Sequence, residues 1–370
     1  MIRSPYFLIL PWLALMTVFT RFVQTTETKW ILGRERRVTK WWFAILVFVP
    51  LLIMAINREV GIGDTGVYIG TYNGMPSNFS AIPEYYSRLR KDRAFYALAA
   101  IIKCIFGGDY RFYFFIIAII QVYSLAKMYR NYSPSYMMAV FLFVASVDYV
   151  SWMQNGIRQF VAVSICWWAT DWMLEKKYVL AVITVLIASR FHQSALLVIP
   201  MIFIVQGKPW NIRTLVFIAV TVLVIVYVEQ FTTFLDEALE ETQYTNVVTE
   251  WQSWNDDGTN PLRVLIYSLP AIMSLVGLRY IREENDVVIN FATNMSIVTA
   301  GLYLISMVTS GIFIGRLPIY ASLYSQGILL PWEIDHMFNR GSSRIMKLGM
   351  ILFYLALYFY QINKWGFFGL

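Results

Sequence analysis

The chain has 370 residues, of which 58% are hydrophobic, 17% aromatic and only 14% charged, and its formal net charge is +7. That is more apolar surface than one soluble core of this length can bury, which excludes cytosolic, secreted and fibrous proteins and leaves an integral membrane protein. The basic residues are dispersed between apolar runs and form no RNA- or DNA-binding module, so no nucleic-acid partner is expected.

The first apolar run, YFLILPWLALMTVFTRFV, carries no small-residue cleavage site and leads into a strongly basic stretch. It is expected to be a retained span rather than a cleaved signal. Further apolar runs lie near residues 40–56, 110–129, 135–151, 155–174, 178–190, 192–206, 213–230, 262–279, 287–309, 316–332 and 345–362. The expectation is an all-α polytopic membrane protein with about twelve transmembrane helices, forming a single integral membrane domain over 1–370. The segment AFYALAAIIKCIF, Ala94 to Phe106, is shorter than the roughly 17 residues a spanning helix needs and is expected to be interfacial or re-entrant. Cys104 and Cys166 stand far apart in apolar segments, a spacing that suits packing rather than a metal or a disulfide.

Basic residues in short loops stay on the cytoplasmic side. Placing Arg21, Lys29, Arg34, Arg36, Arg37 and Lys40 there brings Lys127/Arg130, Lys176/Lys177, Lys208/Arg213, Arg279/Arg282 and Arg340/Arg344/Lys347 to the same side. The basic residues left over are mostly arginine, among them Arg58, Arg158, Arg190 and Arg316. A planar guanidinium fork suits phosphate and carboxylate oxygens, so the outer face is expected to receive an anionic ligand.

Two outer loops are long, 57–93 and 229–261. The first is dense in glycine, tyrosine and charge; the second is acidic, with Trp251 and Trp254 interspersed. Long loops are commonly functional, and aromatic faces beside carboxylates suit sugar rings. Asp256 and Asp257 stand beside Gly258, as in a turn.

The run between Lys177 and Lys208 is about 30 residues, roughly 45 Å if helical, too long for one span and too short for two. Two half-length helices meeting at Ser189 to Ser194 fit, and the stretch SRFHQSALLVIP then sets Arg190 and His192 below the outer surface. Such groups persist there only against protein or a water-filled cavity. Arg158 and Gln159 in NGIRQF, and Arg316 in GRLPIY, enter spans at the same level. Structural roles stay open for each: Arg158 with Asp148, Arg190 with a lipid headgroup, His192 as a helix cap.

Taken in order, RxxxxxDTGVYIGTY from Arg58, NGIRQFVAVSI from Asn155, SRFHQSALLVIP from Ser189 and GRLPIY from Gly315 resemble the recurring motifs of the EpsG family of bacterial exopolysaccharide polymerases, functional relatives of the Wzy O-antigen and capsule polymerases. The segment after Pro83, RLRKDR, departs from that pattern in being more basic. The resemblance implies a glycosyltransferase of the bacterial cytoplasmic membrane that moves a glycan from undecaprenyl diphosphate to the terminal sugar of another lipid-linked repeat on the outer face. The donor and acceptor are then both undecaprenyl-diphosphate-linked oligosaccharides, with a flippase and a chain-length regulator as possible protein partners.

Charge develops on the diphosphate as the glycosidic bond breaks, so positioned cations favour the transition state. Arg158 and Arg316 are the first candidates for that clamp, with Arg190 and Arg58 next. His192 is the first candidate base for the acceptor hydroxyl and Asp64 the second. Gln159, Tyr68, Tyr72, Tyr320, Trp251 and Trp254 are candidate substrate contacts. Direct displacement with inversion is expected without metal or other cofactor, since the outer side offers no DxD pair, HExxH or cysteine cluster. Two other functions remain open: a flippase for the same lipid-linked oligosaccharide, which would call for symmetric halves and midplane polar sites, and an O-antigen-ligase type of transferase with a different acceptor.

Overall fold

The computed structural model describes residues 6–58, 63–239, 253, 256 and 258–364. The chain is helical almost throughout and gathers into two compact units, Met1–Leu196 with Ile345–Leu370, and Leu197–Arg344.

In the first unit a short first helix, α1 (Tyr6–Phe19), leads into an element absent from the all-α expectation. The basic stretch forms an antiparallel hairpin, β1 (Thr26–Ile31) against β2 (Arg34–Thr39), in register from Thr26↔Thr39 to Ile31↔Arg34. Leu32 and Gly33 connect the strands with φ of 52° and 75°, the pair of left-handed residues that a two-residue hairpin turn takes up. Charge hides this hairpin in the sequence, because strand alternation here carries Lys, Arg and Glu instead of apolar residues. It is held from below by Arg130, which donates through Nε to Thr39 O at 2.8 Å and through Nη2 to Glu27 Oε1 at 2.8 Å, with its guanidinium 4.6 Å from the Trp41 ring centroid. A residue expected to serve only as a topology anchor is therefore a buried structural cation.

Among the described residues three helices are long and apolar enough to cross a membrane: Tyr110–Tyr132 (α7 below), Val287–Val308 and Arg340–Lys364. Three bent pairs raise this to six: Tyr136–Ala145 with Asp148–Asn155 at 73°, Ile212–Val226 with Val228–Glu237 at 97°, and Pro261–Val276 with Leu278–Glu284 at 72°. By this measure the expected twelve are not reached among the described residues. The cause is that apolar runs continuous in sequence are interrupted in the backbone. Val147 adopts φ 54° between two helices. The run 178–206 stops at Ser189 and resumes as a 3-10 turn at Gln193, which matches the expected pair of half-length helices. The run 316–332 becomes Ile319–Tyr324, a π-helical turn Ser325–Leu329 and Leu330–His336.

Among its described residues the loop 57–93 carries α4 (Thr65–Asn73), a 3-10 turn capped by the Asn78 side chain, and α5 (Ile82–Arg88). Before it come α2 (Trp41–Val47) and α3 (Val49–Ile56). The segment predicted to be a short helix is one, α6 (Arg93–Phe106). It buries Phe95, Ala99 and Ile102 at helical spacing against Tyr68 and Tyr72 of α4 and Tyr113, Phe114 and Ile117 of α7 (Tyr110–Tyr132).

Lys103 of α6 is nearly buried, and its Nζ donates to Tyr72 O (3.0 Å), Asn73 O (2.7 Å) and Met75 O (2.6 Å). One ammonium thus satisfies the carbonyls at the end of α4, which a helix terminus cannot pair by itself. Lys103→Met is expected to take this donor from Asn73 O and Met75 O, while Tyr72 O keeps Met75 N, at a cost on the order of 3 kcal/mol. The measurement is the melting temperature of the detergent-purified protein, and an unchanged value would show that Lys103 does not fix α4.

Candidate active site in the first unit

Two helix breaks build the site. The first lies between α9 (Asp148–Asn155) and α10 (Ile157–Leu174), with Gly156 at the junction. The last carbonyls of α9 lack helical partners, and two residues from the 57–93 segment supply them. Arg58 Nη2 donates to Gln154 O, and Tyr68 Oη donates to Asn155 O at 2.9 Å. The Arg58 guanidinium also lies 4.4 Å from the Phe114 ring centroid. Gly63 fits against the same corner: its φ is +52°, and a Cβ there would fall 2.1 Å from Asn155 Oδ1. Only glycine meets both demands. Arg58, Gly63 and Tyr68, all from the motif RxxxxxDTGVYIGTY, thus close onto NGIRQ.

Arg158, the second residue of α10, donates through Nη1 to Asp92 Oδ2 at 2.6 Å. The Asp92 side chain is 1% exposed and that of Arg158 is 29% exposed, so the carboxylate is enclosed while the guanidinium still reaches the surface. Of the structural roles left open for Arg158, a pairing with Asp148 gives way to this one, because α6 brings Asp92 to the start of α10. Asp92 itself has φ 49°, a left-handed conformation that Asp tolerates better than most residues. The Tyr96 ring centroid lies 5.9 Å from the Arg158 guanidinium. Burial pushes the Tyr68 phenol above its ordinary pKa, against the opposing charge and hydrogen bond of Arg158.

The second break follows α11 (Tyr178–Ser189). There His192 Nδ1 lies 2.6 Å from Ser194 Oγ, and Gln159 Nε2 donates to the same oxygen at 3.4 Å. Arg190 exposes its side chain, and its carbonyl accepts from Ala94 N at 3.0 Å. Residues 92–94 therefore touch both breaks. The structure brings together Arg58, Tyr68, Arg158, Gln159, Arg190 and His192 from the sequence-predicted set. It adds Asp92 and Ser194, which sequence reasoning missed. The one signal for Asp92 was a lone carboxylate inside RLRKDR, directly before a helix.

The other predicted residues fall elsewhere. Asp64 is exposed at the start of α4, without a side-chain cap, though its charge bears on Tyr68. Tyr72 is fully buried, donating to Gly107 O at 3.0 Å and stacked on Tyr113 with centroids 4.9 Å apart. Arg316 and Tyr320 belong to the second unit, Arg316 exposed at the end of a 3-10 turn (Ile314–Arg316) and Tyr320 buried. Trp251 and Trp254 lie outside the described residues.

The arginine-bearing corner, with a histidine set on the neighbouring break, is made from segments in the order of the EpsG motifs. A model of the EpsG family matches residues 40–367. This chain belongs to the EpsG family. The matched range contains every residue of the site just described, from Arg58 to Ser194, and also Arg316 and Tyr320. No curated protein and no solved structure gives a match. Membership in the EpsG family, with the apolar helices, supports a membrane-integral protein that works in polysaccharide polymerisation on a lipid-linked sugar.

Proposed function

We propose that the chain lengthens an exopolysaccharide by transferring a glycan from undecaprenyl diphosphate to the terminal sugar hydroxyl of a second lipid-linked repeat, at the outer face of the bacterial cytoplasmic membrane. The observation that carries this reading is the partly exposed Arg158, held through one nitrogen by an enclosed carboxylate, with its chain neighbour Gln159 bonded to the serine that touches His192.

In the proposed step the acceptor oxygen bonds to the anomeric carbon as the bond from that carbon to the diphosphate oxygen breaks, which inverts the centre. Guanidinium groups stabilise the charge gathering on the departing diphosphate. A guanidinium has five N–H donors, so Arg158 can keep Asp92 and still offer donors to a phosphate oxygen. Asp92 then orients the fork in advance, and no reorganisation is needed during the reaction. Arg190 contributes an exposed guanidinium at the second break. Arg316, of the second unit, is a separate candidate phosphate ligand, supported by its exposed position as the last residue of a hydrogen-bonded turn.

The acceptor proton is assigned to His192. A serine oxygen has two lone pairs and can accept from both Gln159 Nε2 and an Nδ1–H of His192. In the tautomer whose Nδ1–H donates to Ser194 Oγ, Nε2 is the nitrogen that takes the acceptor's proton. Tyr68 and Arg58 act indirectly, by closing the end of α9. The reading is metal-independent: saturating EDTA is expected to leave polymer formation from purified lipid-linked repeat unchanged, and loss restored by a single divalent ion would overturn that part of it. Polymer made in detergent, without a second compartment, excludes a pure flippase. Lengthening of product on undecaprenyl diphosphate separates a polymerase from a ligase.

A further inference from the structure

In the second unit, the carboxylate of Asp256 is the centre of a knot that the proposed chemistry has not used. Its Oδ2 accepts from Ser310 Oγ at 2.5 Å and from Ile312 N at 3.0 Å; its Oδ1 accepts from Gly311 N at 3.0 Å and from Gly258 N at 3.3 Å. Burial alone would raise this carboxyl, but the hydrogen bonds from Ser310, Ile312, Gly311 and Gly258 outweigh it and hold the pKa below the ordinary carboxylate value. The side chain is ionised and acceptor-only.

The knot continues beyond the carboxylate. Ser310 Oγ also accepts from Phe313 N at 2.9 Å, and Ser310 O accepts from Gly315 N at 2.9 Å. Those two bonds define the turn whose last residue is Arg316. On the other side, Thr259 N donates to Ser306 O at 2.9 Å and Ser306 Oγ donates to Thr259 Oγ1 at 2.8 Å. Gly258 has φ +87°, and a Cβ there would fall 2.4 Å from Met307 O, so the two segments are in backbone contact. Asp256, Gly258 and Thr259 are thus held against the 306–315 segment by paired polar groups and close backbone contact.

We propose that Asp256 is a positioning residue for Arg316: its carboxylate fixes the Ser310–Gly311–Ile312 turn and thereby the direction in which the Arg316 guanidinium is presented to the phosphate oxygens of the lipid-linked substrate. The inference rests on the reading of Arg316 as a phosphate ligand. Asp256 does not itself touch substrate. Asparagine in its place is nearly isosteric but puts an NH2 where one carboxylate oxygen accepts from Ser310 Oγ and Ile312 N, setting donor against donor.

The experiment is a double-mutant cycle on the full-length enzyme in detergent, with purified lipid-linked repeat as substrate and initial rates of chain elongation as readout. Asp256→Asn is expected to lower turnover on the order of 10-fold, and Arg316→Lys to lower it as well. In the double variant, Asp256→Asn should cost nothing beyond Arg316→Lys, since the group it positions has already lost its fork. A purely structural role would instead give losses that multiply, and that result overturns the inference. Wild-type turnover of Asp256→Asn beside an impaired Arg316→Lys overturns it too and leaves the Arg316 reading standing. Wild-type turnover of both Arg316→Lys and Arg316→Ala removes that reading, and this inference with it. Where Asp256→Asn does not accumulate as monodisperse protein, Ser310→Ala takes its place in the cycle; it removes one donor to Asp256 and the acceptor for Phe313 N, and full turnover there is equally fatal.

Discussion

Arg158→Lys is expected to lower chain elongation by about 10²-fold with little effect on the amount of folded protein. Lysine keeps the positive charge and can keep the contact to the enclosed Asp92 carboxylate, whose partner is 2.6 Å away in the native chain. It loses the planar fork. A single ammonium drawn to Asp92 has no rigid second arm for a phosphate oxygen. The deficit belongs in turnover, because charge on the diphosphate grows as the bond breaks. Initial rates with purified lipid-linked repeat test this, and a lysine variant that works at the native rate removes the bidentate role.

His192→Ala carries the second large effect, a fall in turnover of roughly 10²- to 10⁴-fold with affinity for the diphosphate lipid nearly unchanged. The imidazole is held at Nδ1 by Ser194, and Ser194 is tied to Gln159 of α10. The ring is therefore placed by two helix breaks, and its loss removes a proton acceptor without disturbing the arginine corner. Binding of a non-transferable diphosphate lipid, measured beside turnover, separates the two roles. Native chain yield from the alanine variant ends the assignment of His192 as base.

Composition was enough to read a polytopic helical membrane protein, and the order of four motifs was enough to read the family. Helix count was less legible. Hydrophobicity along a sequence registers whether a segment can lie in lipid, whereas a kink such as Val147 at φ 54° costs no hydrophobicity and leaves no trace in that measure. The hairpin was hidden for the opposite reason, since its strands are too charged to stand out beside apolar runs. Within the site, Arg58, Arg158, Gln159 and His192 were visible because ionisable and amide groups are rare against an apolar background. Asp92 was not, because its significance comes from α6 delivering it to the start of α10, a contact 66 positions away in sequence. Lys103 stood out as the one charge within AFYALAAIIKCIF, but only its three carbonyl partners in the fold make it a helix-end clamp.

Position 92 must satisfy two unrelated requirements with one side chain. Its backbone turns into a region where glycine, asparagine and aspartate are at ease, and its head group has to be anionic and short enough to stay sealed beneath Arg158. Glycine answers the first and fails the second; glutamate keeps the charge but is a methylene too long and gives up the backbone preference; asparagine keeps the shape and gives up the charge. The position therefore has almost no substitutional freedom, and a library covering it separates conformational tolerance from electrostatic need within one codon.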